Sequence, residues 1–373
     1  MKTWPFVGVA LIQALLILAH WFVFVTWIAF WDPLSPTATL ALRAAFFLVA
    51  FSFVAAALLS FRFFNRSVRT LYKAAAVWLG FLNFFFLAAC LSWLVWFAVR
   101  LAGLPVDQVA ARAWIAGILD AGALLIGIYG LVNARWIRVR RVPVELPHRP
   151  ESWSGRTGVM LSDVHLGHVN GVRFSRRLTA LAASFNPDVV FLPGDLFDGT
   201  EVDLDHLLAP FKELDPPFGV YFTTGNHEEY ESPDHYVSAL SRAGVRVLNN
   251  ERVTVDGLHI VGVPYSDSTY PARVRTILDQ LRPDPGQASI LLNHVPARLP
   301  IVEQAGIGLQ LSGHTHGGQI FPFTWLTRRV FGPFTHGLNR FGSLQVYTST
   351  GVGTWGPPMR VGSRPEIVLL QFL

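Results

Sequence analysis

The chain has 373 residues, of which 51% are hydrophobic and only 15% are charged, so its composition is too apolar for an ordinary soluble protein. Residues 1–150 carry 13 Lys and Arg against 4 Asp and Glu, whereas residues 151–373 carry 17 against 21, which together make the formal net charge of +5. Because the basic excess lies in the apolar part, it does not indicate a nucleic-acid-binding domain, and no nucleic-acid partner is expected. Cys90 is the only cysteine, which excludes an intrachain disulfide.

Four apolar runs in residues 1–139 predict a four-span transmembrane region. Each run is longer than the roughly 20 residues that a helix needs to cross the hydrocarbon core of a bilayer. The first run is too long for a secretory signal peptide and is followed by no small-residue cleavage site, so we expect it to be retained. The runs cover residues 4–31, 39–61, 74–99 and 113–134.

The basic residues between these runs predict the orientation of the chain. One group lies between the second and third runs, another follows the last run, and the other two loops carry far fewer basic residues. By the positive-inside rule, both termini and the C-terminal domain are expected on the cytoplasmic side of the cell (inner) membrane. The two groups are Arg62, Arg66, Arg69 and Lys73, and Arg135, Arg138, Arg140 and Arg141.

The predicted spans contain the polar residues His20, Asn83 and Asp120. An acidic residue within a membrane is costly, so a functional role is one explanation, and the four spans could then form a small transporter or a lipid-entry groove. Interhelical hydrogen bonds are the other explanation, which we favour because a single acid makes a poor transport pathway.

A Pro- and Arg-rich stretch, residues 140–156, predicts a linker between the spans and a C-terminal domain of residues 157–373. In that domain short apolar runs alternate with helical patterns, which indicates an α/β domain with helix-covered sheets. Strands are predicted at residues 158–162, 188–192, 219–223, 246–248, 253–255, 259–263, 289–292, 309–311, 344–348 and 366–372. Helices are predicted at residues 173–185, 204–214, 234–243 and 272–281.

Polar motifs directly follow five of the predicted strands. They are D-V-H from Asp163, G-D-L-F-D from Gly194, G-N-H-E from Gly225, N-H from Asn293 and G-H-T-H-G-G-Q from Gly313. Open α/β sheets bind ligands where their strands end, so we expect these motifs to converge. Turn chemistry explains any one of these motifs, but it does not explain five of them in one order.

Seven side chains in these motifs can coordinate a metal. Residues two apart in an extended segment point the same way, so Asp163 with His165, and His314 with His316, can each offer two ligands to one place. One carboxylate among seven ligands can bridge two ions, which is the composition of a dinuclear hydrolytic centre with metals roughly 3.5–4 Å apart. The candidates are Asp163, His165, Asp195, Asn226, His294, His314 and His316.

The order of these five motifs resembles the signature of the calcineurin-like metallophosphoesterases over almost all of residues 155–373. The G-H-T-H-G-G-Q-I ending, followed by V-Y-T-S-T-G-V-G from Val346, is similar to a bacterial branch of membrane-associated phosphodiesterases. Lipid-A-pathway pyrophosphatases acting on UDP-diacylglucosamine are relatives of that branch. The resemblance implies an α/β fold of four layers, two mixed β-sheets flanked by helices, preceded here by the four-helix transmembrane region.

The resemblance also implies a role for each residue. One metal would be held by Asp163, His165 and His316, and the other by Asn226, His294 and His314, with Asp195 as the bridge. The family uses the histidine of G-N-H in catalysis, so His227 would be the general acid or transition-state donor, and Asp198 would orient it. Glu228 stands where many relatives carry Asp. The sequence G-D-L-F-D-G-T lacks the Arg of the phosphoprotein-phosphatase branch, which argues against a protein phosphatase.

A dinuclear centre of this kind suits phosphoester hydrolysis, because two cations polarise the phosphoryl oxygens and lower the pKa of a water. Nitrogen and oxygen ligands without thiolate suit two divalent ions of Mn, Fe or Zn, and the family resemblance favours Mn²⁺. The expected activity is that of a metal-dependent phosphoric ester hydrolase of phosphodiesterase or pyrophosphatase type.

Residues 321–334 suggest a class of substrate, because aromatic residues are interleaved there with Arg328 and Arg329. Two explanations are equally open: a segment at the bilayer interface with its basic groups toward lipid headgroups, or an ordinary cap packed on the domain. The first leads to the hypothesis that the phosphoester substrate is a phospholipid or a lipid-linked nucleotide sugar, with the lipid bilayer as a partner. Arg360 could contact a substrate phosphate or tie down a loop.

The alternative function is a transporter or lipid-binding membrane protein with a regulatory phosphoesterase domain. That function requires the four spans to carry a conduction path. A catalytically inactive scaffold is expected to lack metal ligands or His227, and this chain lacks none of them.

Overall fold

The computed structural model describes residues 4–31, 35–230, 232–282, 284 and 286–373. Four long helices come first, and two β-sheets with flanking helices follow, so the fold class predicted from the sequence is confirmed. The chain divides into two compact units. The helical unit comprises the residues up to Val132 together with Gly356–Met359, and the sheet unit comprises Asn133–Trp355 and Arg360–Leu373.

Each of the four long helices is apolar enough to cross a membrane, and each exceeds the required length of roughly 20 residues. Together they confirm the four apolar runs predicted from the sequence. They are α1 (Trp4–Phe30), α2 (Pro36–Ser60), α3 (Arg66–Leu101) and α4 (Gln108–Asn133).

Helix α3 begins earlier than the predicted run because Asn65 caps it. The Oδ1 atom of Asn65 accepts a hydrogen bond of 3.0 Å from the backbone N–H of Val68. The helix is about 54 Å long at 1.5 Å per residue, well beyond the roughly 30 Å of a hydrocarbon core. Its first turns carry Arg66, Arg69 and Lys73, which suit the aqueous side of a membrane. A search for apolar runs misses these turns because they are polar.

Helices α1, α2 and α3 pack together within the helical unit. Two tryptophan indoles of α3 donate hydrogen bonds to polar side chains of α1: Trp78 to Nε2 of His20 at 2.8 Å, and Trp93 to Oγ1 of Thr26 at 2.9 Å. His20 therefore makes the interhelical hydrogen bond that we favoured for polar residues in the spans. The buried apolar residues of this interface are Val23, Phe24, Phe46, Leu82 and Ala89.

Twelve strands of the described residues form two six-stranded sheets. The strands of the first sheet are β1 (Arg138–Val144), β2 (Thr157–Met160), β3 (Val189–Pro193), β4 (Val220–Thr223), β5 (Arg246–Val247) and β12 (Glu366–Phe372). Those of the second sheet are β6 (Glu251–Val255), β7 (Leu258–Val263), β8 (Ser289–Asn293), β9 (Leu309–Ser312), β10 (Gly337–Phe341) and β11 (Leu344–Thr348).

Both sheets are mixed. The strand order is β1-β12-β2-β3-β4-β5 in the first sheet and β10-β11-β9-β8-β7-β6 in the second. Strands β2 to β5 run parallel, as do β7, β8, β9 and β11, while β12 with β2, β6 with β7, and β10 with β11 are antiparallel. The central parallel strands are buried on both faces, which explains why they appear in the sequence as continuous apolar runs.

Helices cover the outer face of each sheet, and the inner faces pack on each other. Met160 and Phe191 of the first sheet share one buried cluster with Ile290 and Leu311 of the second. The order of layers is therefore helix, sheet, sheet, helix. The helices described in this unit are α5 (Val172–Ala183), α6 (Leu204–Leu208), α7 (Asp234–Arg242), α8 (Tyr265–Ser268), α9 (Pro271–Gln280), α10 (Leu299–Gln304) and α11 (Phe323–Phe331), of which α11 has no buried residue.

The boundary between the units differs from the one predicted from the sequence. Residues 140–144, placed in a linker because of their Pro and Arg content, belong to β1, which pairs in parallel with β12 along its whole length. Val142 and Val144 are buried while the arginines stay exposed, a pattern that an edge strand allows, as it allows Pro143. Trp153, also in the predicted linker, is fully buried against Phe372.

Replacing Trp153 with Ala tests whether this segment belongs to the sheet unit. Truncating a fully buried Trp costs roughly 3–5 kcal/mol, so we expect the melting temperature of the detergent-solubilised chain to fall on the order of 10 °C. Trp136→Ala is the matched control, because Trp136 is 66% exposed and its loss is expected to shift melting by less than about 2 °C. Equal melting of both variants and the wild type would contradict the assignment.

Candidate metal centre

The polar motifs follow strands that lie side by side. Strands β2, β3 and β4 are parallel neighbours in the first sheet, and β8 and β9 are parallel neighbours in the second. The carboxyl ends of parallel strands meet at one edge of a sheet, and open α/β sheets bind ligands there. The structure brings together there all nine residues predicted for the site: Asp163, His165, Asp195, Asp198, Asn226, His227, His294, His314 and His316.

Three of these residues form a first group of metal-binding side chains. The Nε2 atoms of His165 and His316 lie 3.1 Å apart, and Nε2 of His316 lies 3.4 Å from Oδ1 of Asp163. One ligand atom from each of the three residues lies within 4.8 Å of the other two. Two imidazole nitrogens and a carboxylate oxygen that converge in a buried place fit a divalent transition-metal ion.

A second group lies on the other side of Asp195. Nδ1 of His314 lies 2.9 Å from Oδ1 of Asn226, and Nε2 of His294 lies 3.1 Å from Oδ2 of Asp195. Asp195, His294 and His314 again offer ligand atoms within 4.8 Å of one another. This group supplies two imidazoles, an amide oxygen and a carboxylate.

The Asp195 carboxylate joins the two groups. Its Oδ2 atom lies 3.1 Å from Nε2 of His294 in the second group and 3.9 Å from Nε2 of His165 in the first. Its Oδ1 atom accepts a hydrogen bond of 3.0 Å from the backbone N–H of His227. A single carboxylate oxygen therefore faces a histidine of each group.

The backbone of this region adopts conformations that non-glycine residues rarely take. Asp163, His165, Asp195, His314 and His316 all have positive φ angles, between 49° and 68°. A non-glycine residue in the left-handed region costs about 1–3 kcal/mol, so the surrounding structure must hold all five in place. Such strain concentrates at functional sites, where it aims side chains that ordinary strand geometry would direct elsewhere.

Glycines let the motifs pack against each other. A Cβ atom on Gly225 would lie 2.1 Å from Oδ1 of Asp195, and one on Gly313 would lie 1.9 Å from Oγ of Ser162 and 2.1 Å from Oδ2 of Asp163. Both positions therefore require glycine, because any side chain would displace a candidate metal ligand.

Burial keeps two of the imidazoles neutral. Burial lowers the pKa of His314 to about 4, and the nearby His294 acts in the same direction. Burial also lowers the pKa of His316 well below its ordinary value, as do the charges of His165 and Arg360. Both rings are therefore neutral at pH 7, which is the form that binds a metal ion.

The Asp195 carboxylate stays ionised despite its burial. Burial alone would raise its pKa, but the charges of His294 and His227 hold the pKa well below the ordinary value. Burial alone would lower the pKa of His294, but the Asp195 carboxylate outweighs burial and raises that pKa to about 10. A buried anion surrounded by imidazoles has the electrostatic character of a cation-binding site.

His227 lies beside the two groups with one ring nitrogen fixed. Its Nδ1 donates a hydrogen bond of 2.9 Å to the backbone carbonyl of Asp198, which leaves Nε2 as the ring nitrogen without a hydrogen. Nε2 lies 4.0 Å from Oδ2 of Asp195. The contact of Asp198 with this ring is therefore made by its main-chain carbonyl, and the role of Asp198 in orienting His227 stays a prediction.

The Asp198 carboxylate has a different neighbour from the one predicted. Its Oδ1 lies 3.4 Å from Nδ1 of His165, which points Nε2 of that ring into the first group. The motif spacing placed Asp198 close to the histidines, but the turn after β3 determines which of its oxygens faces which ring.

Two residues that the sequence analysis did not place in the site also support it. The Glu228 carboxylate is fully buried and accepts hydrogen bonds from the backbone N–H groups of Asp195, Phe197 and Gly225, which joins the loops after β3 and β4. Burial and the Asp195 charge raise the pKa of Glu228 to about 7. The only sign of this role in the sequence was the position of Glu228 directly after the G-N-H motif.

Tyr230 is the second residue, and its hydroxyl donates a hydrogen bond of 3.1 Å to Nε2 of His227. Its ring centroid lies 4.6 Å from that of His227. Only its position three residues after His227 hinted at this contact.

Arg360 ties down loops, one of the two roles left open for it. It is fully buried, and its guanidinium donates to the backbone carbonyls of His316, Gly351 and Gly353. One Nη atom lies 3.3 Å from Nδ1 of His316. Arg360 therefore positions a candidate metal ligand and does not face a substrate.

Two packed mixed sheets with a His and Asp cluster at their strand ends define the class of metal-dependent phosphoesterases. The family model of the calcineurin-like phosphoesterases matches residues 159–318. A metallophosphoesterase of Aquifex aeolicus is 32% identical over 254 residues, which cover 66% of this chain and 96% of that protein. The chain belongs to the calcineurin-like metallophosphoesterase family.

Two other relatives are longer than the matched region. A transmembrane protein with metallophosphoesterase domain from Danio rerio is 35% identical over 260 residues, which cover 65% of this chain and 59% of that protein. A metallophosphoesterase of Campylobacter jejuni is 32% identical over 250 residues, covering 65% of this chain and 66% of that protein. The chain thus spans roughly three fifths to two thirds of the length of these two relatives.

Replacing Gly225 with Ala tests the close packing around Asp195. The added Cβ would displace the carboxylate, so we expect the affinity for Mn²⁺ to fall about 10- to 100-fold, measured by metal titration and by elemental analysis after dialysis. Gly308→Ala is the control, because its Cβ would come no closer than 3.3 Å to any atom. Unchanged Mn²⁺ affinity in Gly225→Ala would show that Asp195 does not hold the metal.

Proposed function

We propose that this chain is a membrane-anchored phosphoesterase that uses two divalent metal ions to hydrolyse phosphodiester or pyrophosphate bonds. The observation that carries the proposal is the position of Asp195 Oδ2 between a histidine of each metal-binding group. A shared carboxylate serves two ions at once, and two-ion sites are suited to stabilising both the attacking and the leaving oxygens of a phosphoryl group.

The donor atoms fit the ions that we propose. Asp163, His165 and His316 would hold one ion, Asn226, His294 and His314 would hold the other, and Asp195 would bridge them. When bound, the two ions would polarise the phosphoryl oxygens and supply a water of lowered pKa. Nitrogen and oxygen donors suit Mn, Fe or Zn, and Mn²⁺ is our first choice from the family resemblance.

His227 is the residue that we propose for proton transfer to the leaving oxygen. The bond from its Nδ1 to the Asp198 carbonyl fixes the ring, and Nε2, which accepts from the Tyr230 hydroxyl in this structure, would take up a proton before giving it to the leaving oxygen. The backbone N–H of His227 is bound to the Asp195 carboxylate, so the same group that would bridge the ions also sets the position of the acid.

We propose that the four helices anchor the sheet unit at the cytoplasmic face of the cell (inner) membrane. Only residues 134–137 separate the end of α4 from the start of β1, so the tether is short and the effective concentration of the sheet unit at the bilayer is high. The basic start of α3 and the basic residues after α4 support the cytoplasmic side.

Helix α11 is the feature that supports a lipid substrate. None of its residues is buried, and Phe323, Leu326 and Val330, spaced at i, i+3 and i+7, form an exposed apolar face. Arg328 and Arg329 lie outside that face and suit anionic headgroups. The helix is near the metal centre, because the rings of Phe331 and His314 lie 6.2 Å apart. We therefore propose a phospholipid or a lipid-linked nucleotide sugar as the substrate.

His227→Asn tests the proton transfer. We expect Mn²⁺ stoichiometry to stay at two per chain while kcat for a methyl-ester leaving group falls about 10²–10⁴-fold, since a poor leaving group needs protonation. The loss is expected to be far smaller for bis-p-nitrophenyl phosphate, whose nitrophenolate leaves without a proton.

His206→Asn is the control for this experiment, because His206 is an exposed histidine of the same unit. Asp195→Ala should in contrast lose both the bound metal and the activity. A wild-type protein that hydrolyses no phosphodiester or pyrophosphate with Mn, Fe or Zn would refute the proposed function.

The double variant Leu326→Ser/Val330→Ser tests the lipid substrate. Losing two exposed apolar contacts with a bilayer should lower the turnover of a vesicle-borne diacyl phosphodiester about tenfold or more. Turnover of soluble bis-p-nitrophenyl phosphate should stay within about twofold, because α11 offers no contact to a small substrate on that face. Leu338→Ser, an exposed leucine outside α11, is the control. Equal losses on both substrates would refute the lipid hypothesis.

A further inference from the structure

Two half-exposed aromatic rings contact the imidazole of His227. The centroid of Tyr230 lies 4.6 Å from that of His227, and the centroid of Trp355 lies 5.8 Å from it at an interplanar angle of 70°. Tyr230 is 50% exposed and Trp355 is 54% exposed. Large rings that reach the same catalytic candidate while remaining open to solvent are available to a ligand.

The backbone of Trp355 is held in place by the loop that carries His316. The side-chain amide of Gln319 accepts a hydrogen bond of 3.0 Å from the Trp355 N–H and donates one of 2.9 Å to the Trp355 carbonyl. Gln319 follows His316 by three residues, and its own N–H bonds to the His316 carbonyl. This two-point contact fixes the backbone of Trp355 beside His227, which lowers the cost in conformational freedom on binding.

Tyr230 is also fixed at the site by its hydroxyl. The hydroxyl donates to Nε2 of His227 and lies 3.4 Å from the amide nitrogen of Asn226. The ring of Tyr230 is therefore positioned by a catalytic candidate on one side and by a candidate metal ligand on the other. Both rings lie on the His227 side of the centre, where the proposed function puts the leaving group.

We propose that Trp355 and Tyr230 form a binding surface for a planar aromatic or heteroaromatic ring carried by the leaving group. The inference rests on the proposed function only in assigning the ring to the leaving group, because a ring can bind beside His227 without being hydrolysed. Offset-stacked or edge-to-face contacts with such a ring favour it over a saturated group of similar size. Trp355 and Tyr230 thereby determine the specificity for one of the two groups esterified to the phosphate.

A binding experiment tests the surface without hydrolysis. The full-length, Mn-loaded chain in detergent is titrated with phenylphosphonate and with cyclohexylphosphonate, which differ in the planarity of the ring. The wild type should bind phenylphosphonate roughly three- to tenfold more tightly, and Trp355→Leu should remove that preference. Tyr230→Phe should keep most of it because the ring remains. Trp325→Leu is the matched control, since Trp325 is 59% exposed but lies on α11.

A kinetic experiment connects the surface to the reaction. Methyl phenyl phosphate is compared with methyl hexafluoroisopropyl phosphate, whose leaving alcohol has similar acidity but no planar ring. Trp355→Leu should raise KM for the phenyl ester roughly three- to tenfold and leave kcat for both esters within about twofold.

The outcomes separate the two proposals. Equal affinity of the wild type for the two phosphonates, or a Trp355→Leu variant that keeps the phenyl preference, would overturn the aromatic surface. A phenyl preference in a wild type that hydrolyses no phosphodiester or pyrophosphate with Mn, Fe or Zn would support the surface and overturn the proposed function. A Trp355→Leu effect confined to vesicle-borne substrates would assign Trp355 to the bilayer and overturn the inference.

Discussion

A buried, ionised Asp195 is the constraint on which the rest of the sheet unit depends. An unpaired carboxylate in the interior of a protein is too costly to persist, so cations and hydrogen-bond donors must surround it. Here the backbone N–H of His227 and the rings of His294 and His165 meet it from loops after three different strands. Those loops must therefore end at one place, which two sheets packed face to face with aligned strand ends achieve.

The same arrangement sets the strain and the rigidity of the site. Five candidate ligands have left-handed backbone conformations, which would relax if their loops were free. Glu228 prevents this in the first sheet by accepting hydrogen bonds from three backbone N–H groups of two loops. Arg360 fixes the loop of His316 and the residues after β11 by donating to their backbone carbonyls. Neither residue faces a substrate, yet each contributes a buried polar side chain that fixes the backbone.

The metal centre has different neighbours on its two sides, and this difference could orient a substrate. On the side of His314 lies Phe331, the last residue of the amphipathic helix α11. On the side of His227 lie the exposed rings of Tyr230 and Trp355. A phosphoester with an apolar chain on one side and a ring-bearing group on the other would match both, and the short tether from α4 to β1 suits a substrate that resides in a bilayer.

Composition, hydropathy and motif order by themselves determined the four helices that are long and apolar enough to cross a membrane, the α/β class and the residues that meet at the site. These features are local, because the length of an apolar run can be compared directly with the thickness of a bilayer. In the same way, a polar motif that directly follows a parallel strand lies at the carboxyl end of that strand. Only the tertiary structure decided that residues 138–144 are an edge strand, because β12, more than 200 residues away, supplies the partner. Only the tertiary structure showed that the backbone carbonyl of Asp198 accepts a hydrogen bond from His227, and that Trp355 lies beside the His227 ring. Such contacts depend on loop conformations that no sequence period encodes, since long-range packing fixes them.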